Sequence, residues 1–203
     1  DANLDGRLEL FVANGFTQDL SKYDTPYRML PQLFEWTGAT FQLLPTGQAG
    51  SWSRHASVGR AVAKLDWNLD GKPDLAVGLL DDPGYILTNT SDSTNHGLSL
   101  TLIATTTARD AIGTTVTATI GDQQFVHQLT AGDGYQCTNQ RHLLIGCGSA
   151  DVISNLTIDW PSGTRQQFSN VPVSECVTLV QGRRLEHIVS RSNTSSNDES
   201  KGQ

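Results

Sequence analysis

The pattern Asp-x-Asn-x-Asp-Gly occurs twice in this sequence, at residues 1–6 and again at residues 66–71. In each copy oxygen-bearing side chains stand at every second position, and a further acid stands at position nine. Alternate side chains of a tightly curled loop point to the same side, and the glycine permits the sharp turn. A hard cation such as Ca²⁺ takes about six to eight oxygen ligands in a flexible shell. The pattern therefore predicts two Ca²⁺ loops.

The predicted ligands are side-chain oxygens at positions one, three, five and nine, and the backbone carbonyl at position seven. They are Asp1, Asn3, Asp5, Arg7 and Glu9 in the first copy, and Asp66, Asn68, Asp70, Lys72 and Asp74 in the second. The alternative is a pair of polar turns without metal, because Asp, Asn and Gly all favour turns. Two copies, each ending in an acid, a leucine and an apolar run, favour the metal sites. A metal-dependent hydrolase is disfavoured, because a loop that surrounds its ion leaves little open coordination for substrate.

The final acid stands at position nine and a β-like segment follows, whereas an EF-hand has its last acid at position twelve and then a helix. Residues 59–78, which include the second loop, resemble an FG-GAP or VCBS-type repeat. That resemblance implies β-propeller blades with a Ca²⁺ loop between two strands. Two repeats are too few for a closed propeller of about four to eight blades. Because the chain begins inside the motif, we expect residues 1–90 to be the C-terminal part of a propeller in a longer protein.

Length and charge exclude some classes of function. The 203 residues allow one or two domains, and 37% of them are hydrophobic, which permits a packed core. The net charge is −7 and no basic run is present, so nucleic-acid binding is not expected. No stretch is apolar and long enough to cross a membrane.

The N-terminal part reads as short strands and loops. Residues 27–41 suggest two short strands around a Thr37-Gly38 turn, and residues 45–57 read as a loop. Residues 81–84 read as a turn, and residues 85–88 as a final strand. The aromatic residues are interpreted as packing residues rather than ligand contacts, and those in the strands as part of a blade core. They are Phe34, Trp36 and Phe41 in the strands and Trp52 in the loop.

Residues 90–95 are polar and are predicted to be a linker between two domains. After it, apolar and polar residues alternate with a period of two, which is typical of half-buried strands. The alternating apolar positions are Leu98, Leu100 and Leu102; Val116, Ala118 and Ile120; Leu156, Ile158 and Trp160; and Val177 and Leu179. No helical period appears, so residues 95–183 are predicted to form a small all-β domain of the sandwich type.

This second half resembles the ASPIC/UnbV domain, which commonly follows FG-GAP/VCBS repeats. The residues that carry the resemblance lie at 96–98, 109–113, 130–135, 145–148 and 160–163. Cys137 and Cys147 depart from the family, which usually has Ser and Leu there. The family includes a secreted cartilage acidic protein and many exported bacterial proteins. The resemblance implies architecture and no catalytic residue.

Three cysteines, Cys137, Cys147 and Cys176, are compatible with one disulfide plus a thiol or with three thiols. Sequons for N-glycosylation begin at Asn89, Asn155 and Asn193. Residues 184–203 form a polar tail that we expect to be largely disordered.

No catalytic constellation is found: none of the five histidines stands in a metalloprotease motif, and no nucleophile elbow is present. The expected function is therefore a non-enzymatic, exported, Ca²⁺-stabilised structural or adhesion-type module, at the cell surface or outside the cell. Its expected partner is an extracellular protein or a glycan. The alternatives are a carbohydrate-binding or carbohydrate-processing module, with Trp52 as a contact, and an accessory protein of a natural-product pathway.

Overall fold

The computed structural model describes residues 1–80, 82–173 and 176–184, and the backbone of Ile188–Val189. This part of the chain is all-β, as predicted, with fourteen strands in four separate sheets. Two short 3₁₀ helices lie at Ser21–Tyr23 and Ser51–Arg54. None of the described sheets closes into a barrel or a propeller. No helix in the described ranges is long and apolar enough to span a bilayer.

The first sheet has three antiparallel strands in the order β1 (Leu10–Val12), β2 (Gln32–Trp36) and β3 (Phe41–Leu43). The predicted turn between the last two is confirmed. Thr37 N–H donates to the carbonyl of Thr40 at 3.0 Å. Gly38 takes a φ of 92°, which suits a residue without Cβ.

One face of this sheet is apolar and only partly covered. Leu10, Phe34 and Leu43 are cross-strand neighbours, and the rings of Trp36 and Phe41 lie 5.1 Å apart. Phe34 and Trp36 are half-buried, but Phe41 is 48% exposed, so the prediction that Phe41 lies in a blade core is wrong. The reason is that no described strand forms a second layer over it, since Leu10 and Leu43 are also 45% exposed.

The second sheet is also a three-stranded antiparallel sheet, in the order β4 (Gly59–Leu65), β5 (Asp74–Leu79) and β6 (Tyr85–Leu87). The second Asp-x-Asn-x-Asp-Gly copy connects β4 to β5. Strand β6 confirms the final strand predicted at residues 85–88, and it ends one residue earlier. Asp81, in the predicted turn before it, lies outside the described residues. We call residues 1–88 the N-terminal unit.

The C-terminal unit, from residue 96 onward, consists of two four-stranded sheets. One has the order β10-β7-β13-β14 and the other β12-β11-β8-β9. The strands are β7 (His96–Ile103), β8 (Thr115–Ile120), β9 (Gln123–Gln128), β10 (Leu143–Gly148), β11 (Val152–Asp159), β12 (Arg165–Pro172), β13 (Cys176–Val180) and β14 (Ile188–Val189). Strands β7 and β13 pair in parallel, and the other neighbours pair antiparallel.

The two sheets of the C-terminal unit share one hydrophobic core. Leu98 and Leu100 from β7 and Leu156 and Ile158 from β11 are fully buried in it. The period-two alternation in the sequence predicts that these side chains face the core, because successive residues of a strand point to opposite sides. Residues 121–122 connect β8 to β9, and residues 160–164 connect β11 to β12.

Most of the polar tail lies outside the described residues, namely 185–187 and 190–203, which include the sequon asparagine at 193. Within this segment the backbone of Ile188–Val189 pairs with β13. The prediction of a disordered tail therefore stays untested for the rest.

The three cysteines are free thiols, so the disulfide that the sequence left open is not formed. Cys147 lies in the core of the C-terminal unit, whereas Cys137 donates its thiol proton to the carbonyl of Val62 at 3.1 Å in the N-terminal unit. Their different surroundings keep the two sulfur atoms apart.

We expect the Cys147 thiol to be unreactive in the folded protein. Burial raises its pKa to about 11, so roughly one molecule in a thousand carries the thiolate at pH 8. Iodoacetamide at pH 8, followed by peptide mass spectrometry, should modify Cys147 in urea but not in buffer. Equal rates in both conditions would contradict the buried position of this side chain.

Candidate metal loops

Loop 1 (residues 1–9) and loop 2 (residues 66–74) have the same backbone conformation. Leu4 and Leu69, at position four, both have a φ of 60°. Gly6 and Gly71, at position six, have φ values of 86° and 88°. A leucine in the left-handed region is uncommon, and its recurrence at the same position shows that the motif imposes this shape.

The first acid of each loop binds the glycine that ends the turn. Asp1 Oδ2 accepts from Gly6 N–H at 2.8 Å, and Asp66 Oδ2 accepts from Gly71 N–H at 3.0 Å. The side chain is thus held over the centre of the loop.

The side chains at positions three and five accept the same hydrogen bonds in both loops. Asn3 Oδ1 accepts from Asp5 N–H at 3.1 Å, and Asp5 Oδ1 accepts from Arg7 N–H at 2.8 Å. In loop 2 the same bonds join Asn68 to Asp70 at 3.2 Å and Asp70 to Lys72 at 2.8 Å. These Asx-type bonds bring the side chains of positions one, three and five into one turn.

The acid at position nine closes each loop from the other end. Glu9 Oε2 accepts from Ala2 N–H at 2.6 Å, and Asp74 Oδ2 accepts from Trp67 N–H at 3.0 Å. Asp74 is fully buried, and its Oδ1 also accepts from Asn89 N–H at 2.7 Å. The sequence predicted this position as a metal ligand. The structure shows that it also supports the backbone of the loop.

The donors fit a hard cation. They are carboxylate and amide oxygens, and a carboxylate oxygen that accepts one hydrogen bond keeps a further lone pair. No three His, Cys, Asp or Glu side chains of the described ranges converge as a metal cluster. The donor set would therefore have to include the Asn oxygens and the predicted carbonyls of Arg7 and Lys72.

One carboxylate oxygen in loop 1 is buried without a donor. The Asp1 side chain is 7% exposed, and its Oδ1 has no hydrogen-bond partner among the described residues. An unsatisfied buried polar group costs about 1–3 kcal/mol, and more when it is charged. A bound cation would satisfy this oxygen, so the residues present fit a Ca²⁺ ion.

The predicted linker is docked on loop 1 by alternate side chains. Asn89 Nδ2 and Ser91 Oγ donate to the carbonyl of Ala2 at 2.7 and 3.1 Å. Ser93 Oγ and Asn95 Nδ2 donate to the carbonyl of Asn3 at 2.7 and 2.9 Å. The spacing of these four residues was visible in the sequence, because side chains two apart in an extended segment face the same side. A glycan on Asn89 would remove its bond to Ala2.

A segment of the C-terminal unit binds the edge of β4 beside loop 2. Lys64 N–H donates to Asn139 Oδ1 at 2.7 Å, and Asp66 N–H donates to Gln140 Oε1 at 2.8 Å. Gln140 N–H in turn donates to the carbonyl of Lys64 at 2.9 Å. Burial lowers the pKa of Lys64, and the negative charge of Asp133 partly offsets this decrease. No pattern in the sequence indicates this contact.

The other candidate residues have structural neighbours. The ring of Trp52 lies 5.0 Å from that of Phe11, so Trp52 packs inside the N-terminal unit, as interpreted. His96 Nδ1 lies 3.1 Å from Asp151 Oδ1. Burial lowers the pKa of His127, which Lys64 lowers further.

Most of the C-terminal unit matches a known domain family in sequence. Residues 104–186 match the family model described as ASPIC and UnbV. This confirms the resemblance for that part of the chain, and the match begins directly after β7. No curated protein matches the sequence. The resemblance of residues 59–78 to FG-GAP or VCBS repeats stays a prediction.

Proposed function

We propose that this chain is a calcium-stabilised structural and interaction module without enzymatic activity. Loops 1 and 2 bind Ca²⁺ in blade-like sheets of the FG-GAP/VCBS type, and the ASPIC/UnbV domain follows them. The observation that supports it best is the repeated loop geometry, in which two distant segments take the same strained backbone and direct the same oxygen-bearing side chains inward. The buried Asp1 oxygen without a donor is the second support.

Binding of Ca²⁺ to these loops should stabilise the folded chain. The loop ends carry β1, β4 and β5, so an ion that joins positions one to nine holds neighbouring strands together. Loops of this kind in extracellular modules bind Ca²⁺ with a Kd of about 10⁻⁴–10⁻³ M, which suits an exported location. A partner outside the cell, either a protein or a glycan, fits that location. The geometry favours no second function, because Trp52 is used in packing.

A thermal melt with Ca²⁺ and with chelator tests this proposal. At free Ca²⁺ about 100 times above Kd, each bound ion adds about 2.7 kcal/mol, or roughly 5–10 °C in Tm per site for a chain of this length. Asp70→Ala should reduce this shift, and combination with Asp5→Ala should abolish it. Mg²⁺ at the same concentration is the ion control and should act more weakly, because it demands rigid octahedral geometry. Identical melts in Ca²⁺ and chelator would show that the loops are polar turns.

A further inference from the structure

The two loops, alike in backbone, lie in different surroundings. At position four Leu4 is 6% exposed, whereas Leu69 is 64% exposed. Loop 2 therefore presents its leucine to solvent, while loop 1 buries the equivalent side chain.

Leu4 is buried because loop 1 packs on β10 and β7 of the C-terminal unit. Gly148 N–H, at the end of β10, donates to the carbonyl of Leu4 at 2.8 Å. A Cβ at Gly146 would lie 1.9 Å from Asp1 Oδ2, and one at Gly97 would lie 3.3 Å from the Leu4 side chain. Glycines on both strands thus make room for this loop.

The contact covers an end strand of a sheet. Strand β10 is the last strand of its sheet, and residues 143–147 on it are all buried, on both faces. An uncovered end strand exposes unpaired backbone groups. The side chains of linker residues 89–95 hold loop 1 from another side, through the carbonyls of Ala2 and Asn3.

We propose that the cation of loop 1 controls the docking of the N-terminal unit on β10, whereas the cation of loop 2 acts on β4, β5 and the separate contact of Asp66 with Gln140. This inference rests on the proposed Ca²⁺ binding. Docking places the Asp1 carboxylate against Gly146, where Oδ1 is buried without a donor. The ion removes that penalty and also orders the loop that covers β10. Loss of the ion loosens the interface and uncovers β10.

Hydrogen exchange with mass spectrometry on the full chain tests this coupling, with Ca²⁺ binding measured in parallel by calorimetry. Removal of Ca²⁺ should speed exchange in residues 143–148 by about tenfold or more, while residues 152–159 of β11 change less. Asp5→Ala should reproduce this speeding in the presence of Ca²⁺. Asp70→Ala is the matched control. Asp5 and Asp70 are both exposed, and each accepts from the backbone N–H at position seven of its own loop. It should leave β10 protected.

The outcomes separate the coupling from the proposed function. If calorimetry shows binding but exchange in β10 does not depend on Ca²⁺, the coupling is wrong and the Ca²⁺ module stands. If Asp70→Ala exposes β10 as much as Asp5→Ala does, the assignment of the coupling to loop 1 is also wrong. If calorimetry shows no binding, both proposals fall. The comparison of the unmodified chain with and without Ca²⁺ needs no variant, so a misfolded variant does not prevent the test.

Discussion

Asp74→Ala is expected to lower the free energy of unfolding by about 2–5 kcal/mol, even in chelator. Asp74 is fully buried and accepts from the N–H groups of Trp67 and Asn89. The alanine would leave both part-buried donors without this acceptor, and each such loss costs about 1–3 kcal/mol. One of these bonds joins loop 2 to the start of the linker. Urea denaturation in chelator, followed by circular dichroism, measures the change.

Asp70→Ala is the control for this prediction. Asp70 is exposed, so in chelator its removal should change the free energy of unfolding by less than about 1 kcal/mol. The two variants therefore separate the structural role of position nine from metal binding. Equal losses in chelator would show that Asp74 does not support the loop as described.

Gln181→Ala is the second substitution with a large expected effect. Gln181 is 6% exposed and makes hydrogen bonds with every polar atom of its side chain. Its Oε1 accepts from the N–H groups of Thr105 and Thr106 at 3.0 and 3.3 Å. Its Nε2 donates to Ser162 Oγ at 2.6 Å and Thr164 Oγ1 at 2.8 Å. One side chain thus connects the segment after β7 to the turn between β11 and β12.

Removal of this amide should lower the free energy of unfolding by about 3 kcal/mol, because it breaks several part-buried hydrogen bonds at once. Gln167→Ala is the matched control. Gln167 is exposed, its one contact is a weak 3.4 Å bond to Thr157 Oγ1, and its replacement should stay within about 0.5 kcal/mol. Urea denaturation monitored by tryptophan fluorescence measures both. A loss below about 1 kcal/mol for Gln181→Ala would contradict the importance of this network.

Much of the C-terminal unit was predictable because its strands are half-buried. Leu98, Leu100 and Leu102 alternate with Ser and Thr, and the structure buries them in the core. The interpretation of the aromatic cluster failed for Phe41, since an aromatic residue in a strand indicates a packed face only when a second layer exists to cover it. Gln181 gave no signal, because a lone glutamine at the end of a strand normally points to solvent.

Local hydrogen bonds account for the shared conformation of the two loops. Asp, Asn and Gly at fixed spacing bind the nearby backbone N–H groups, and these local bonds favour the same left-handed φ at Leu4 and Leu69. The sequence therefore also predicted which oxygens could face an ion.

The surroundings of the two loops differ because distant parts of the chain pack against one of them and not against the other. The Leu4 side chain is buried because it packs on a surface formed by Gly97, Gly146 and Gly148, more than 90 residues away. Leu69 meets no such surface and stays exposed. Hydrogen bonds within a loop depend on neighbours in the sequence, whereas burial depends on the distant strands that the fold brings to it.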